Sequence, residues 1–194
     1  MNIAAKREFS DLSCRRAEST LPSPSSLRSN ATRAARIVTL ASLSPTIPDR
    51  LIGNALARFA HSETNQSVLL VRIGAAEPVV SLRDFAAIQS ALNGEFCFAG
   101  HLRNGEGGFQ SLDLLVTDDA HELTFVKPLL EHLGAHFRFV LVGIGADASE
   151  QVLFECLTHS DLTYLFVRQS QENLYDFDLL MREARLRFDG DCSR

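Results

Sequence analysis

Short apolar runs alternate with amphipathic stretches along most of this chain. Ile37, Val38 and Leu40 make residues 36–41 a short β-rich run, and after Pro48 the residues Ile52, Ala55, Leu56 and Phe59 recur at i, i+3, i+4 and i+7. That spacing predicts a helix with one face on a sheet. SVLLVRI at 67–73 predicts a second strand, 81–92 a helix stopped by Asn93-Gly94, and 95–108 a loop whose NGEGG tip at 104–108 is a mobile turn. LDLLV at 112–116 is a third strand. Residues 118–133 then place Leu123, Val126, Leu130 and Leu133 on one helical face, with Pro128 disturbing the helix start. HFRFVLV at 136–142 is a fourth strand, GIGAD leads into a helix over 149–158, and 162–167 is a fifth strand. A last helix over about 171–188 carries Leu174, Phe177, Leu180, Met181 and Ala184.

Strands apolar on both faces and separated by helices predict a three-layer α/β/α domain, Rossmann-like, with a mainly parallel sheet of about five strands. The first 34 residues break the pattern. They hold seven serines and the segment LPSPSS with few large apolar residues, so residues 1–34 are expected to be a disordered leader and 189–194 a disordered tail around a single domain at 35–188.

Charge sharpens this picture. The leader has six bases and three acids, whereas the rest of the chain has 13 bases and 21 acids, giving −8 there and −5 overall. An acidic domain lacks the basic face of a general nucleic-acid binder. No run approaches the roughly 18 apolar residues of a membrane span. Cys14, Cys97, Cys156 and Cys192 are far apart, without a CxxC, and no secretory apolar segment opens the chain, so a reducing cytoplasm is expected. Cys97 and Cys156 lie in apolar surroundings and read as core thiols.

The order of elements, with SLSPTIPDR in the first loop, resembles the MinD/ParA-type P-loop ATPases and the related tyrosine kinases of bacterial capsule synthesis. That family opens with Lys-Gly-Gly-x-Gly-Lys-Thr and a helix containing Asn-Leu-Ala. Ser42 matches the small residue before the loop, and Leu56-Ala57 the helix. Ser44 stands at the signature lysine, Pro45 and Thr46 at two glycines, and Pro48 at the third. Asp49 stands at the phosphate-binding lysine and Arg50 at the magnesium-binding hydroxyl. Arg72 and Gly74 stand at the two aspartates of the second strand and Gly143 at the Walker-B-like aspartate, while Asp161 is kept. The resemblance thus implies a P-loop-NTPase-like fold with a degenerate Walker A loop, a pseudo-ATPase. A looser likeness, to the Rossmann-like region ahead of the patatin domain in neuropathy-target-esterase-like phospholipases, implies a regulatory or spacing domain. No Gly-x-Ser-x-Gly elbow occurs here.

The chemistry of these replacements points one way. Phosphate binding needs free N–H groups at a helix start and a nearby cation. Pro48 removes an N–H, Asp49 adds a carboxylate, and Thr46-Ile47-Pro48-Asp49 fits a capping box that completes the helix by itself. No bound cofactor is expected, and the predicted role is that of an interaction or regulatory module. It would dimerise, or pair with a related ATPase or a linked enzyme, through 43–50 and 143–148.

The alternative is a nucleotide- or dinucleotide-binding enzyme using ATP with magnesium, or NADP. For NADP the loop would be Gly143, Gly145 and Ala148, a G-x-G-x-x-A pattern, with Arg168 meeting the 2′-phosphate. The plainer account of that loop is a strand-to-helix turn capped by Asp147.

Other candidates have structural explanations as well. His132 and His136 are four apart, but Gly134 is expected to end the helix between them, so no zinc pair is expected. Asp118-Asp119 fits a helix cap. His101 and Glu106 fit a solvated loop.

Overall fold

The computed structural model describes residues 35–74, 80–82 and 98–188. The leader, the tail, most of the helix expected over 81–92, and Cys97 lie outside them. The strands are β1 (Arg36–Ser42), β2 (Val68–Ile73), β3 (Val80–Ser81), β4 (Arg103–Asn104), β5 (Gln110–Leu115), β6 (Phe139–Ile144) and β7 (Leu162–Phe166). The helices are α1 (Asp49–Thr64), α2 (Ala120–Leu123), α3 (Val126–His136), α4 (Glu150–Thr158) and α5 (Gln171–Phe188). One sheet runs β3-β5-β2-β6-β1-β7, all parallel, and β4 adds to β5 as an antiparallel hairpin. Five long strands carry the sheet, as the sequence predicts; β3 and β4 are two-residue additions.

Alternate residues of each central strand enter two separate cores. Leu69, Val71, Ile73, Val140, Val142 and Ile144 pack with α3, α4 and Leu180 of α5 on one face. Val68, Leu70, Leu40 and Leu141 meet Ala57, Leu56 and Ala60 of α1 on the other. The split follows from handedness. The β1-to-β2 crossover runs along the sheet in one direction and the β5-to-β6 and β6-to-β7 crossovers in the other, so right-handed connections place α1 opposite α3 and α4.

Several expectations about the helices need correction. The row of α1 that meets the sheet is Gly53, Leu56, Ala57 and Ala60, not one that includes Ala55 and Phe59; Phe59 is 62% exposed. Gly53 brings the helix so near that a Cβ there would sit 3.3 Å from Leu70 Cδ1, and that contact sets the rotation. The helix expected over 118–133 is two, broken at Thr124-Phe125, with Pro128 in the first turn of α3, where a missing N–H costs little. Gly134 does not end α3, which runs on to His136.

Polar groups inside the sheet are satisfied. Thr39 shares a hydrogen bond with Ser160 at 2.5 Å, and Ser160 donates to the Cys156 carbonyl at 2.6 Å. Asp161 exchanges bonds with Ile37 through its carboxylate (2.8 Å) and its own N–H (2.9 Å), pinning the start of β7 to β1. The retained Asp161 therefore has a structural task.

Leu70, 1% exposed, lies under Gly53 and alternates with the opposite core. Leu70→Ala is expected to cost about 2–5 kcal/mol in urea denaturation. A loss within about 0.5 kcal/mol would mean that this face is loosely packed.

Candidate functional site

Connections leave the C-terminal ends of the neighbouring strands β2 and β6 in opposite directions, the topological position at which α/β sheets open a crevice. A crevice of about 210 Å³ lies there. Asp49, Arg50 and Gly53 of α1 form one wall, Arg72 to Gly74 the second, and Gly143, Gly145 and Asp147 the third. The two loops singled out in the sequence thus come together.

The first loop is closed by its own hydrogen bonds. Leu43 N–H donates to the Phe166 carbonyl, Ser44 N–H to Ser42 Oγ, Ile47 N–H to the Ser44 carbonyl and Asp49 N–H to the Ile47 carbonyl. Arg50 N–H donates to Asp49 Oδ1 at 2.8 Å, and positions 45 and 48 are prolines. The buried Ser44 shares a hydrogen bond with Thr46 at 2.9 Å, and Arg168 Nη1 donates to the same Thr46 hydroxyl at 3.3 Å. The expected capping box is not formed. Pro48 itself precedes the helix, with no side-chain cap, because the Thr46 hydroxyl is engaged by Ser44 and Arg168 and Asp49 turns onto Arg50.

The second loop also differs from its expected form. Gly143 is inside β6, paired with Leu40 and Arg72, and the turn proper runs from Gly145 to Ala148. Ser149, not Asp147, caps α4, accepting from Val152 N–H at 3.2 Å, since it is the residue directly before the helix. Asp147 folds back over the loop. A Cβ on Gly145 would come within 2.4 Å of its Oδ1, and one on Gly74 within 3.1 Å. Gly74 has φ +80°, a conformation that favours glycine. Asp49 Oδ2 is 3.5 Å from the same point on Gly145, so two carboxylates face this crevice.

Arg72 is committed elsewhere. Its Nε and Nη2 donate to the buried Asp113 at 2.5 and 3.2 Å, and Arg103 adds a contact at 3.4 Å. An aspartate within the otherwise apolar run LDLLV was the available signal for this pair. Arg50 is exposed at the crevice, and Arg168 meets the first loop rather than the turn at 145–148. Glu106 lies at the tip of the β4–β5 hairpin, an ordered turn closed by Gly105 N–H to the Phe109 carbonyl at 2.9 Å. Asp119 caps α2 as expected, accepting from His121 N–H at 2.7 Å.

The remaining candidates are remote from the crevice. His132 and His136 share a face of α3, their ring centroids 4.9 Å apart. Among the described residues no group of three potential ligands could hold a metal, and no helix is long and apolar enough to cross a membrane. Burial, and then the charge of His136, lowers the His132 pKa. Burial, and then Glu155, pushes the Cys156 thiol up to about 12.

No protein-family model and no curated protein sequence matches the chain. Solved structures do. The kinase domain of the Escherichia coli tyrosine kinase ETK is similar with a TM-score of 0.60 at 16% identity, over 78% of this chain and 62% of that one. A ParA family ATPase from Chlorobium tepidum gives 0.56 at 14% over 77% and 67%. Cobyrinic acid a,c-diamide synthase from Mycobacterium smegmatis, solved with bound ADP and magnesium, gives 0.57 at 13% over 78% and 69%. These likenesses show the fold: a parallel α/β sheet flanked by helices, shared with this tyrosine kinase domain, the ParA family ATPase and the diamide synthase. The chain spans less than two thirds of the ETK kinase domain.

Two measurements check the titrating groups. A histidine with a lowered native pKa stabilises the fold in full above its unfolded pKa and loses that contribution as pH falls through the range below it. Denaturation midpoints at about pH 7 and about pH 5 should therefore diverge less in His132→Gln than in the parent chain; an unchanged difference would refute the assignment. At about pH 8 the native Cys156 should resist iodoacetamide and react once urea is added, as read by peptide mapping. Fast labelling of the native protein would contradict its burial.

Proposed function

We propose that this domain is an interaction or regulatory module on a P-loop-ATPase fold that has lost its nucleotide site. It pairs through residues 43–50 and 143–148 with a second copy, a related ATPase or a linked enzyme, in a reducing cytoplasm. The observation that carries this reading is the state of the first loop. Five of its N–H groups are engaged within the protein and two of its positions are prolines, so a phosphate finds few donors.

Charge adds to the argument. Asp49 and Asp147 face the crevice in which a phosphate would need cations. A carboxylate about 4 Å from a phosphate charge costs roughly 1 kcal/mol in water and about 4 kcal/mol near a protein surface. The same two carboxylates suit a lysine or arginine presented by a partner.

The alternative, a divergent nucleotide- or dinucleotide-binding enzyme, is favoured by one observation: a crevice at the strand ends with Arg50 beside it. Calorimetry with ATP and ADP in magnesium, and with NADPH, separates the readings. The module reading expects no saturable heat with any of them. Saturable, magnesium-dependent ATP binding that Arg50→Ala abolishes would overturn it in favour of an ATPase. Binding of NADPH alone would move the site to Gly143, Gly145 and Ala148.

A further inference from the structure

The face of the sheet that carries α1 holds a second depression. In the described residues α1 covers β1, β6 and β2 on this face, and β5 lies beyond it. The β4–β5 hairpin borders the space left over. Its tip residue Gly107 has φ +97°, and a Cβ there would strike the Arg58 methylene chain at 2.5 Å, so the hairpin rests against α1 through that side chain. The groove between them measures about 510 Å³.

Three arginines line it: Arg58 from α1, Arg72 from β2 and Arg103 from β4. Glu106 is the acid among its lining residues. Beneath lies Asp113, 5% exposed, holding Arg72 through two hydrogen bonds and Arg103 through an ion contact. Two guanidiniums on one carboxylate leave one positive charge and Arg58 supplies another; Glu106 offsets one of the two, so the groove keeps a net positive charge. This occurs in a region, residues 35–194, whose 13 bases are outnumbered by 21 acids. The buried Asp113 holds the Arg72 guanidinium and touches that of the exposed Arg103, and the Gly107 turn packs on the methylene stem of Arg58. A guanidinium positioned before a ligand arrives, with N–H groups left over, is suited to capture of an oxyanion, and two further arginines at the rim add charge and donors.

We propose that this groove is a binding site for a small phosphate-bearing molecule, held by Arg58, Arg72 and Arg103, with Asp113 as the positioning residue. It is separate from the closed loop, needs no magnesium, and does not depend on the interaction reading. The groove volume falls in the range of small-molecule sites.

The test is titration of the full chain with inorganic pyrophosphate in magnesium-free, low-salt buffer, with citrate in parallel, followed by NMR or calorimetry. Saturable pyrophosphate binding is expected, at least tenfold weaker in Arg58→Gln and in Arg103→Gln and unchanged in Asp49→Asn. Asp113→Asn gives the sharpest outcome. It adds net positive charge, so simple attraction predicts tighter binding, whereas release of the positioned arginines predicts weaker binding. Thermal melts show whether this variant is folded. If it is not, Arg58→Lys, which keeps the charge but removes the fork, must weaken binding to support the proposal. Absence of saturable binding, binding indifferent to Arg58 and Arg103, or tighter binding by folded Asp113→Asn would overturn it. Preference for citrate would overturn the phosphate assignment. Magnesium-dependent ATP binding lost in Arg50→Ala would bear on the crevice alone.

Discussion

The handedness of parallel crossovers is the constraint from which the layout of this domain follows. The connection from β1 to β2 moves along the sheet against the direction of those from β5 to β6 and from β6 to β7, so α1 lies across the sheet from α3 and α4. Among the described residues one helix of 16 residues spans β1, β6 and β2 on this face, and β5 lies beyond it. Its N-terminus meets the diverging ends of β2 and β6, which makes the crevice, and its far flank faces the hairpin, which makes the groove. Both depressions come from the same helix, and Arg72 lines both.

Gly53 is what makes this placement tight. A larger residue would lift the N-terminal half of α1 from Leu70 and widen the crevice. The close approach also fixes the start of the helix, where Asp49 turns onto Arg50 N–H. Polar interactions, not apolar ones, then shape the loop ahead of it. Ser42, Ser44 and Thr46 form a chain of short bonds that ends on Arg168, linking the loop to the segment after β7. A loop held in this way has little need of a ligand to define its conformation, unlike a glycine-rich loop whose N–H groups await a phosphate.

Elements with a long hydrophobic period were legible in the sequence. Residues 171–188 are helical as expected, and the five long strands lie within a few residues of their apolar runs. What escaped was settled by contacts between distant residues. The rotation of α1 depends on Gly53 against Leu70, which a periodicity count ranks below the larger Phe59. The capping box around Thr46 matched by spacing and failed because Arg168, 122 residues away, competes for the hydroxyl. Gly134 reads as a helix stop, yet packing of Leu129, Leu130 and Leu133 outweighs its propensity cost of about 1 kcal/mol. The β4 strand is two residues long and has no period to detect. In the site, the convergence of the two loops followed from the resemblance, whereas the Arg72–Asp113 pair, 41 residues apart, did not, and the fold-back of Asp147 over Gly145 leaves no mark in spacing or hydropathy.

Fold and chemistry part company at the strand ends. The sheet order and crossovers that support an ATPase elsewhere are set by buried Leu, Val and Ile residues, and these are indifferent to what the loops carry. Of Ser44, Pro45, Thr46, Pro48 and Asp49 in the first loop only Ser44 is buried, and its hydroxyl is bonded, so the core places few demands on what this loop carries. The charge pattern can then be redistributed freely: carboxylates at the crevice, arginines in the groove beside it. Arg72 marks the join: it lines both depressions, and the buried Asp113 holds its guanidinium by two hydrogen bonds.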